Sequence, residues 1–204
     1  MKSDLENLLK GNRLIWRGRE VERVSQVAFP TGYTGLDALL PGGGWLPGTL
    51  IEVIASQWGI GELLLFLPVM LAASQEKKQL VWIAPPYIPY APALVAQGIS
   101  LDHLLIIHPP HHKDIPWAME KVLRQPRCAI VLTWSSRLAP KMLRRLQLAA
   151  EEGGSLGVLL QTENLQSSFA ATRLLLKPSA GGVEVTILKS RAVYGDQSIT
   201  LSFS

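Results

Sequence analysis

Cysteine, charge and long apolar runs are all scarce in this sequence. Cys128 is the single cysteine, so the chain forms no internal disulfide, as is typical of a reducing compartment. The longest apolar run, residues 63–73, covers eleven residues and contains Pro68, so it is too short to cross a bilayer. The sequence shows no secretory signal pattern, in which a positively charged segment precedes an apolar segment and a cleavage site. We therefore expect a cytoplasmic protein that has no secretory leader and does not contact membranes.

Apolar residues make up 48% of the chain and charged residues only 18%, which excludes a disordered or fibrous protein. The 204 residues are enough for one α/β domain with an appendage. Because the composition changes after residue 29, we predict a core domain over 30–204 and an N-terminal arm over 1–29. That arm combines a short helix with a basic linker, and the helix carries an apolar stripe of Leu5, Leu8 and Leu9. So short a helix is marginal alone, and we expect the stripe to serve self-association or partner docking.

From residue 30 onward, apolar segments of strand length alternate with segments of helix length. Most of the strands are apolar at successive positions, as expected when helices cover both faces of a parallel sheet. The last three strands are short and lie around Gly-containing turns, which favours an antiparallel extension. The sequence therefore predicts an α/β fold with a mostly parallel sheet flanked by helices and antiparallel C-terminal strands. The predicted strands are 50–55, 80–84, 104–107, 128–133, 156–160, 172–176, 183–189 and 199–203, and the predicted helices are 62–74, 91–97, 115–123 and 140–152.

The segment after the first predicted sheet strand is where such a fold would hold a nucleotide. A working phosphate loop needs a glycine, four further residues and then Gly-Lys-Ser/Thr. Here Ser56, Glu62 and Leu63 stand at the positions of the first glycine, the lysine and the hydroxyl residue, while Gly61 fits and Gly59 lies between. Replacing lysine by glutamate exchanges an attraction of roughly 4 kcal/mol for a repulsion of that order. We therefore expect a degenerate loop, with Glu62 as a helix cap, that binds no nucleotide.

Catalytic and metal-binding patterns are scarce as well. The strands predicted over 80–84 and 128–133 end without an acid that could hold magnesium or position water. His108, His111 and His112 lie far from the single cysteine, and we expect a surface loop rather than a zinc site. The cysteine begins a predicted buried strand without an activating base. We predict that the protein is not an enzyme and holds no metal or cofactor.

Four tryptophans lie in or near the predicted sheet and helices. Trp58 and Trp134 stand close to strand ends, where they could fill the vacant nucleotide pocket. Trp82 and Trp117 are predicted to pack in the core, the usual place of so large an apolar side chain.

Positive charge is concentrated in residues 113–145, which hold eight basic and two acidic groups. Lys141, Arg144 and Arg145 are spaced to share one face of a predicted helix, and Arg137 lies just before it. Such a face attracts nucleic acid phosphates or an acidic partner. A surface helix that merely needs a solvated face would show the same pattern. We predict these four side chains as contacts for DNA or a protein partner.

Several segments together resemble a known family. Pro-Thr-Gly at 30–32, Pro-Gly-Gly-Gly-Trp at 41–45 and Arg-Leu-Gln-Leu-Ala at 145–149 are similar to the RecA recombinase core and, more closely, to its shortened relatives, the ImuA proteins. The resemblance covers about 30–203. It implies a RecA-like sheet whose ATPase apparatus has decayed, and it places Gln161 where RecA has a sensing glutamine.

An ImuA-like protein is implied to be a non-catalytic adaptor in damage-induced (SOS) translesion DNA synthesis. Its implied partners are a polymerase-like ImuB protein, an alternative C-family DNA polymerase and the RecA filament, with DNA contact as a further expectation. The resemblance extends to the related SulA proteins, which gives a second interpretation: a cell-division inhibitor that binds the tubulin-like division protein FtsZ. The Pro-Gly-Gly-Gly-Trp segment favours ImuA over SulA. An ATP-dependent recombinase is a third interpretation, which the degenerate loop disfavours.

Overall fold

The computed structural model describes residues 27–136, 138–162, 168–190 and 196–202. The predicted N-terminal helix with Leu5, Leu8 and Leu9 lies outside these residues, and so does Arg137.

The described residues form eight strands and five α-helices, connected in part by 3-10 turns. The strands are β1 (Leu50–Ala55), β2 (Gln79–Ile83), β3 (Leu104–Ile107), β4 (Cys128–Trp134), β5 (Leu156–Gln161), β6 (Thr172–Ser179), β7 (Gly182–Lys189) and β8 (Gln197–Ser202). The helices are α1 (Thr34–Asp37), α2 (Leu67–Gln75), α3 (Ala91–Ala96), α4 (Ile115–Leu123) and α5 (Pro140–Gly153), and the 3-10 turns are Pro41–Gly43, Leu64–Phe66, Leu101–His103 and His112–Asp114.

All eight strands belong to one sheet, in the order β3-β2-β4-β5-β1-β6-β7-β8. The first six strands of the sheet, β3, β2, β4, β5, β1 and β6, pair in parallel. β7 pairs antiparallel with β6, and β8 pairs antiparallel with β7. The prediction of a mostly parallel α/β sheet with antiparallel strands at its C-terminal end is confirmed. Because five strands run parallel with β1, their carboxyl ends meet at one edge of the sheet.

Apolar side chains cover both faces of the parallel part, and β1, β4 and β5 are buried at every position. On one face the strands pack against α2 and the segment around Trp45. On the other face they pack against α4 and α5, through residues such as Met119 and Leu146. The hydrophobic core therefore lies in two layers, one on each side of the sheet. Among the described residues, no helix has the length and apolar character needed to cross a membrane.

Two predictions about local structure are wrong. Trp117 does not pack in the core: it is 61% exposed, because α4 turns Ile115, Ala118 and Met119 towards the sheet instead. The helix predicted over 62–74 begins later, with a 3-10 turn at Leu64–Phe66 and the α-helix at Leu67. Trp82, by contrast, is buried as predicted.

Candidate functional site

The loop over residues 56–63 leaves the carboxyl end of β1 and folds around the side chain of Glu62. Both carboxylate oxygens of Glu62 accept a hydrogen bond from the backbone N–H of Gly59, at 3.0 Å each. One of them also accepts the N–H of Ile60, at 3.1 Å. Gly59 has a φ of +82°, and a left-handed residue of this kind turns successive N–H groups towards one point. The anion at that point is the chain's own carboxylate, which is only 5% exposed.

The other predicted loop residues take separate positions. Gly61 is also left-handed, with a φ of +110°, and Ser56 is exposed to solvent. Leu63 packs against the hydrophobic core, as does Trp58. The hydroxyl and lysine that would hold magnesium and phosphate are thus replaced by an apolar contact and an acid. Trp134 packs against Trp82, with ring centroids 5.7 Å apart in an edge-on arrangement.

A buried polar cluster links the neighbouring strands β1, β5 and β6 within the sheet. Arg173 donates from Nε to Glu52 at 2.9 Å, and Gln161 donates from Nε2 to the other oxygen of the same carboxylate at 3.2 Å. Glu52 is fully buried. Glu52 and Arg173 were not among the predicted site residues, because a pair 121 residues apart leaves no local signal in the sequence. Gln161, which the resemblance placed at a sensing position, is engaged here in holding a buried ion pair.

An exposed apolar surface follows β2 at the same edge of the sheet. Tyr87, Ile88 and Tyr90 are between 72% and 91% exposed, and Val95 on α3 is 55% exposed. Prolines at 85, 86 and 89 hold the segment in an extended form. We call these four side chains the apolar surface. Several exposed apolar and aromatic side chains within a short stretch of chain are typical of protein-interaction sites. The only sequence signal for this surface is the presence of aromatic residues within a proline-rich segment after a strand, and it was not among the predicted sites.

The predicted basic residues are only partly brought together. Lys141 and Arg144 are exposed on the outer side of α5, opposite the buried Leu143 and Leu146. Arg145 is exposed as well, but its guanidinium donates to Glu120 of α4, at 2.5 Å. Its charge is therefore used in packing α5 against α4.

The predicted histidine cluster lies on the surface: His108, His111 and His112 are all exposed. No three His, Cys, Asp or Glu side chains within the described ranges are placed to hold a metal ion together. Burial raises the pKa of the Cys128 thiol to about 12, so this side chain stays protonated and unreactive at neutral pH.

These features define an α/β domain whose loop after β1 is closed by its own acid. A family model described as "Cell division inhibitor SulA" matches residues 48–157, which is more than half of the chain. This chain belongs to the SulA family.

Individual relatives agree with that assignment. The chain is 27% identical over 111 residues to the cell division inhibitor SulA of Photorhabdus laumondii, a match that covers 53% of this chain and 63% of that protein. It is 27% identical over 108 residues to SulA of Edwardsiella piscicida, covering 53% and 64%. The chain thus spans slightly less than two thirds of the length of these two relatives. A crystal structure of SulA from Pseudomonas aeruginosa is 21% identical and covers 54% of this chain and 96% of its own, with a TM-score of 0.45.

The family match overturns the prediction of a translesion-synthesis adaptor. It also overturns the partners expected with it, the ImuB-like protein, the C-family polymerase and RecA, since the matched family consists of cell division inhibitors. The resemblance to SulA proteins, given as the second interpretation, is the part that the match supports.

The physical reason for the error is that the segments behind the ImuA resemblance serve packing. Trp45 is buried and donates its indole N–H to the carbonyl of Leu65, at 3.3 Å. Gln147 donates to the carbonyl of Gly48 at 3.2 Å and accepts the N–H of Leu50 at 2.9 Å. Residues that hold a shared fold together cannot tell one function of that fold from another.

Proposed function

We propose that this protein inhibits cell division by binding the tubulin-like division protein FtsZ, and that it acts in the cytoplasm without catalysing a reaction. The observation that carries the proposal is the family match over 48–157. The related proteins of Photorhabdus laumondii and Edwardsiella piscicida are named cell division inhibitors, and their similarity to this chain supports the same role.

The closed loop supports a role without nucleotide chemistry. In a RecA-like sheet, which we propose as the origin of this fold, the loop after β1 would hold phosphates. Here Glu62 already accepts the N–H groups of Gly59 and Ile60. A phosphate at this point would meet a carboxylate instead of a lysine, and like charges at such a distance repel by several kcal/mol. This loop is therefore compatible with a protein that inhibits by binding its partner, without binding or hydrolysing a nucleotide.

The apolar surface supports binding to another protein. Tyrosine side chains supply large contact areas and are enriched among the residues that dominate binding energy. Because the prolines around Tyr87, Ile88 and Tyr90 already restrict the backbone, less conformational entropy is lost when a partner docks. We place the FtsZ contact on this surface.

The experiment that tests the proposal is GTP-dependent assembly of FtsZ, measured by light scattering and sedimentation with increasing amounts of the purified chain. We expect inhibition by the unaltered protein. Ile88→Asp and Tyr90→Asp should raise the concentration for half-inhibition at least tenfold, because a buried charge at the centre of an interface typically costs 2 kcal/mol or more.

The matched control is Leu148→Asp, which places the same acid at an exposed apolar position of α5, away from the apolar surface. It should inhibit as well as the unaltered protein, and thermal unfolding should show that all variants are folded. No effect of the unaltered protein on assembly would refute the function. Equal loss of inhibition by Leu148→Asp and Ile88→Asp would refute the location.

A further inference from the structure

A concave site lies at the opposite, amino-terminal edge of the sheet. Here a groove of about 470 Å³ opens where β2, β3 and β4 begin. Its charged and titratable lining consists of Glu76, Lys77, Lys78, His103 and Arg127. We call it the basic groove, and neither the proposed function nor the family match gives it a role.

The cations of the basic groove outnumber its acids. Glu76, the one carboxylate of the lining, pairs with Lys78 at 2.8 Å. Within the part of the chain that the structure describes, neither Lys77 nor Arg127 forms an ion pair with a carboxylate. Two exposed positive charges therefore line one concave surface, and no carboxylate of the described residues pairs with either.

The backbone at Lys77 is unusual for a lysine. It follows the end of α2 with a φ of +55°, in the left-handed region that glycine adopts without cost. The N–H of Lys77 donates to the carbonyl of Ser74, and the N–H of Lys78 donates to that of Ala73. This is the hydrogen-bond pattern of a helix end at which glycine is the common residue. A cation held at such a position, against its backbone preference, indicates a use for the side chain.

A backbone hydrogen bond fixes the shape of the groove. The N–H of Gln79 donates to the carbonyl of Arg127 at 2.9 Å, which holds the starts of β2 and β4 side by side. His103 ends the turn before β3 and lines the same groove.

We propose that the basic groove binds the phosphate group of a small molecule, held by Lys77 and Arg127. Arginine and lysine are the side chains that recognise phosphate by charge-assisted hydrogen bonds. The competing explanation is that these cations only complement the negative end of α2. The two explanations differ in whether an oxyanion is bound.

The test is isothermal titration of the full chain with inorganic phosphate and with glycerol 3-phosphate, at constant ionic strength. The two ligands distinguish free phosphate from a phosphate ester as the source of the bound group, and binding of either supports the proposal. A hexaglutamate peptide is titrated in parallel. Binding of hexaglutamate alone would overturn the proposal in favour of an acidic protein segment, and binding of none of the three would overturn it outright.

Lys77→Gly is the most informative variant, because glycine adopts the left-handed backbone without strain while the side chain that carries the cation is removed. We expect affinity for the phosphate ligand to fall about fivefold or more, while the melting temperature stays the same or rises. Arg127→Gln should weaken binding similarly. The matched control is Lys177→Gln at an exposed position of β6, which should bind within twofold of the unaltered protein. Undiminished binding by both Lys77→Gly and Arg127→Gln would overturn the assignment.

Discussion

Each of the two carboxylate oxygens of Glu62 lies 3.0 Å from the backbone nitrogen of Gly59. A side chain three residues along the chain thus closes the loop that follows β1. The loop keeps the left-handed glycines and inward N–H groups suited to an anion, and it supplies that anion itself. Glu62 itself lies in a turn that the N–H of Leu64 closes on the carbonyl of Gly61, at 3.0 Å, and the 3-10 turn begins at Leu64.

We predict that Glu62→Gln destabilises the fold by about 1.5–3 kcal/mol, because hydrogen bonds to a charged, buried acceptor contribute about that much. An amide offers one oxygen where the carboxylate offers two, and its NH2 group would face the N–H of Gly59. The free energy of unfolding in urea measures the loss.

Glu76→Gln serves as the control for this measurement. Its carboxylate pairs with Lys78 on the surface, with about half of the side chain exposed, so we expect a change of roughly 0.5 kcal/mol or less. An equal effect of the two substitutions would show that the closed loop contributes nothing special to stability.

Much of the fold could be predicted from the sequence because strands and helices leave local signals. The apolar runs over 50–55 and 104–107 and the amphipathic segment over 115–123 match β1, β3 and α4 residue for residue. Each is bounded by polar residues, proline or glycine, which end regular structure sharply. The long helix α5 and the strand β5 extend by one residue beyond their predicted ends.

The candidate sites could not be predicted in the same way, because they depend on which surfaces the fold leaves uncovered. Tyr87 and Trp117 are aromatic residues in apolar contexts, which usually indicates burial, yet both are exposed. Lys77 is distinguished by its backbone angle, which the sequence does not reveal. Glu52 is distinguished by its partner Arg173 on β6, a strand adjacent to β1 in the sheet but far along the chain. The ImuA resemblance predicts the wrong function for a related reason. Trp45 and Gln147 belong to the segments that carry the resemblance, but both serve packing.

The buried ion pair between Glu52 and Arg173 gives a second stability prediction. Removing the cation with Arg173→Leu leaves a fully buried carboxylate without its charge partner, and we expect a loss of about 3–5 kcal/mol. The double variant Glu52→Gln with Arg173→Leu removes the buried charge and keeps an acceptor for Gln161. It should therefore be clearly more stable than Arg173→Leu alone, by urea unfolding. If the double variant is the less stable of the two, the buried unpaired charge of Glu52 is not the cause of the stability lost in Arg173→Leu.

Cys128 gives a prediction about alkaline pH. Burial raises the pKa of its thiol from about 9 to about 12 in the folded protein, so between these values only the unfolded chain loses the proton. The unfolded state is then favoured as pH rises, and the contribution of the thiol to stability falls by about 1.4 kcal/mol per pH unit.

We compare the unaltered protein with Cys128→Ala in urea at pH 7.5 and pH 10, because the tyrosines and lysines that also ionise are common to both. At pH 7.5 the alanine variant should be less stable, since it leaves a small cavity at the start of β4. At pH 10 the difference should shift by about 1.4 kcal/mol in favour of the alanine variant, whereas parallel pH profiles would mean that the thiol ionises equally in both states.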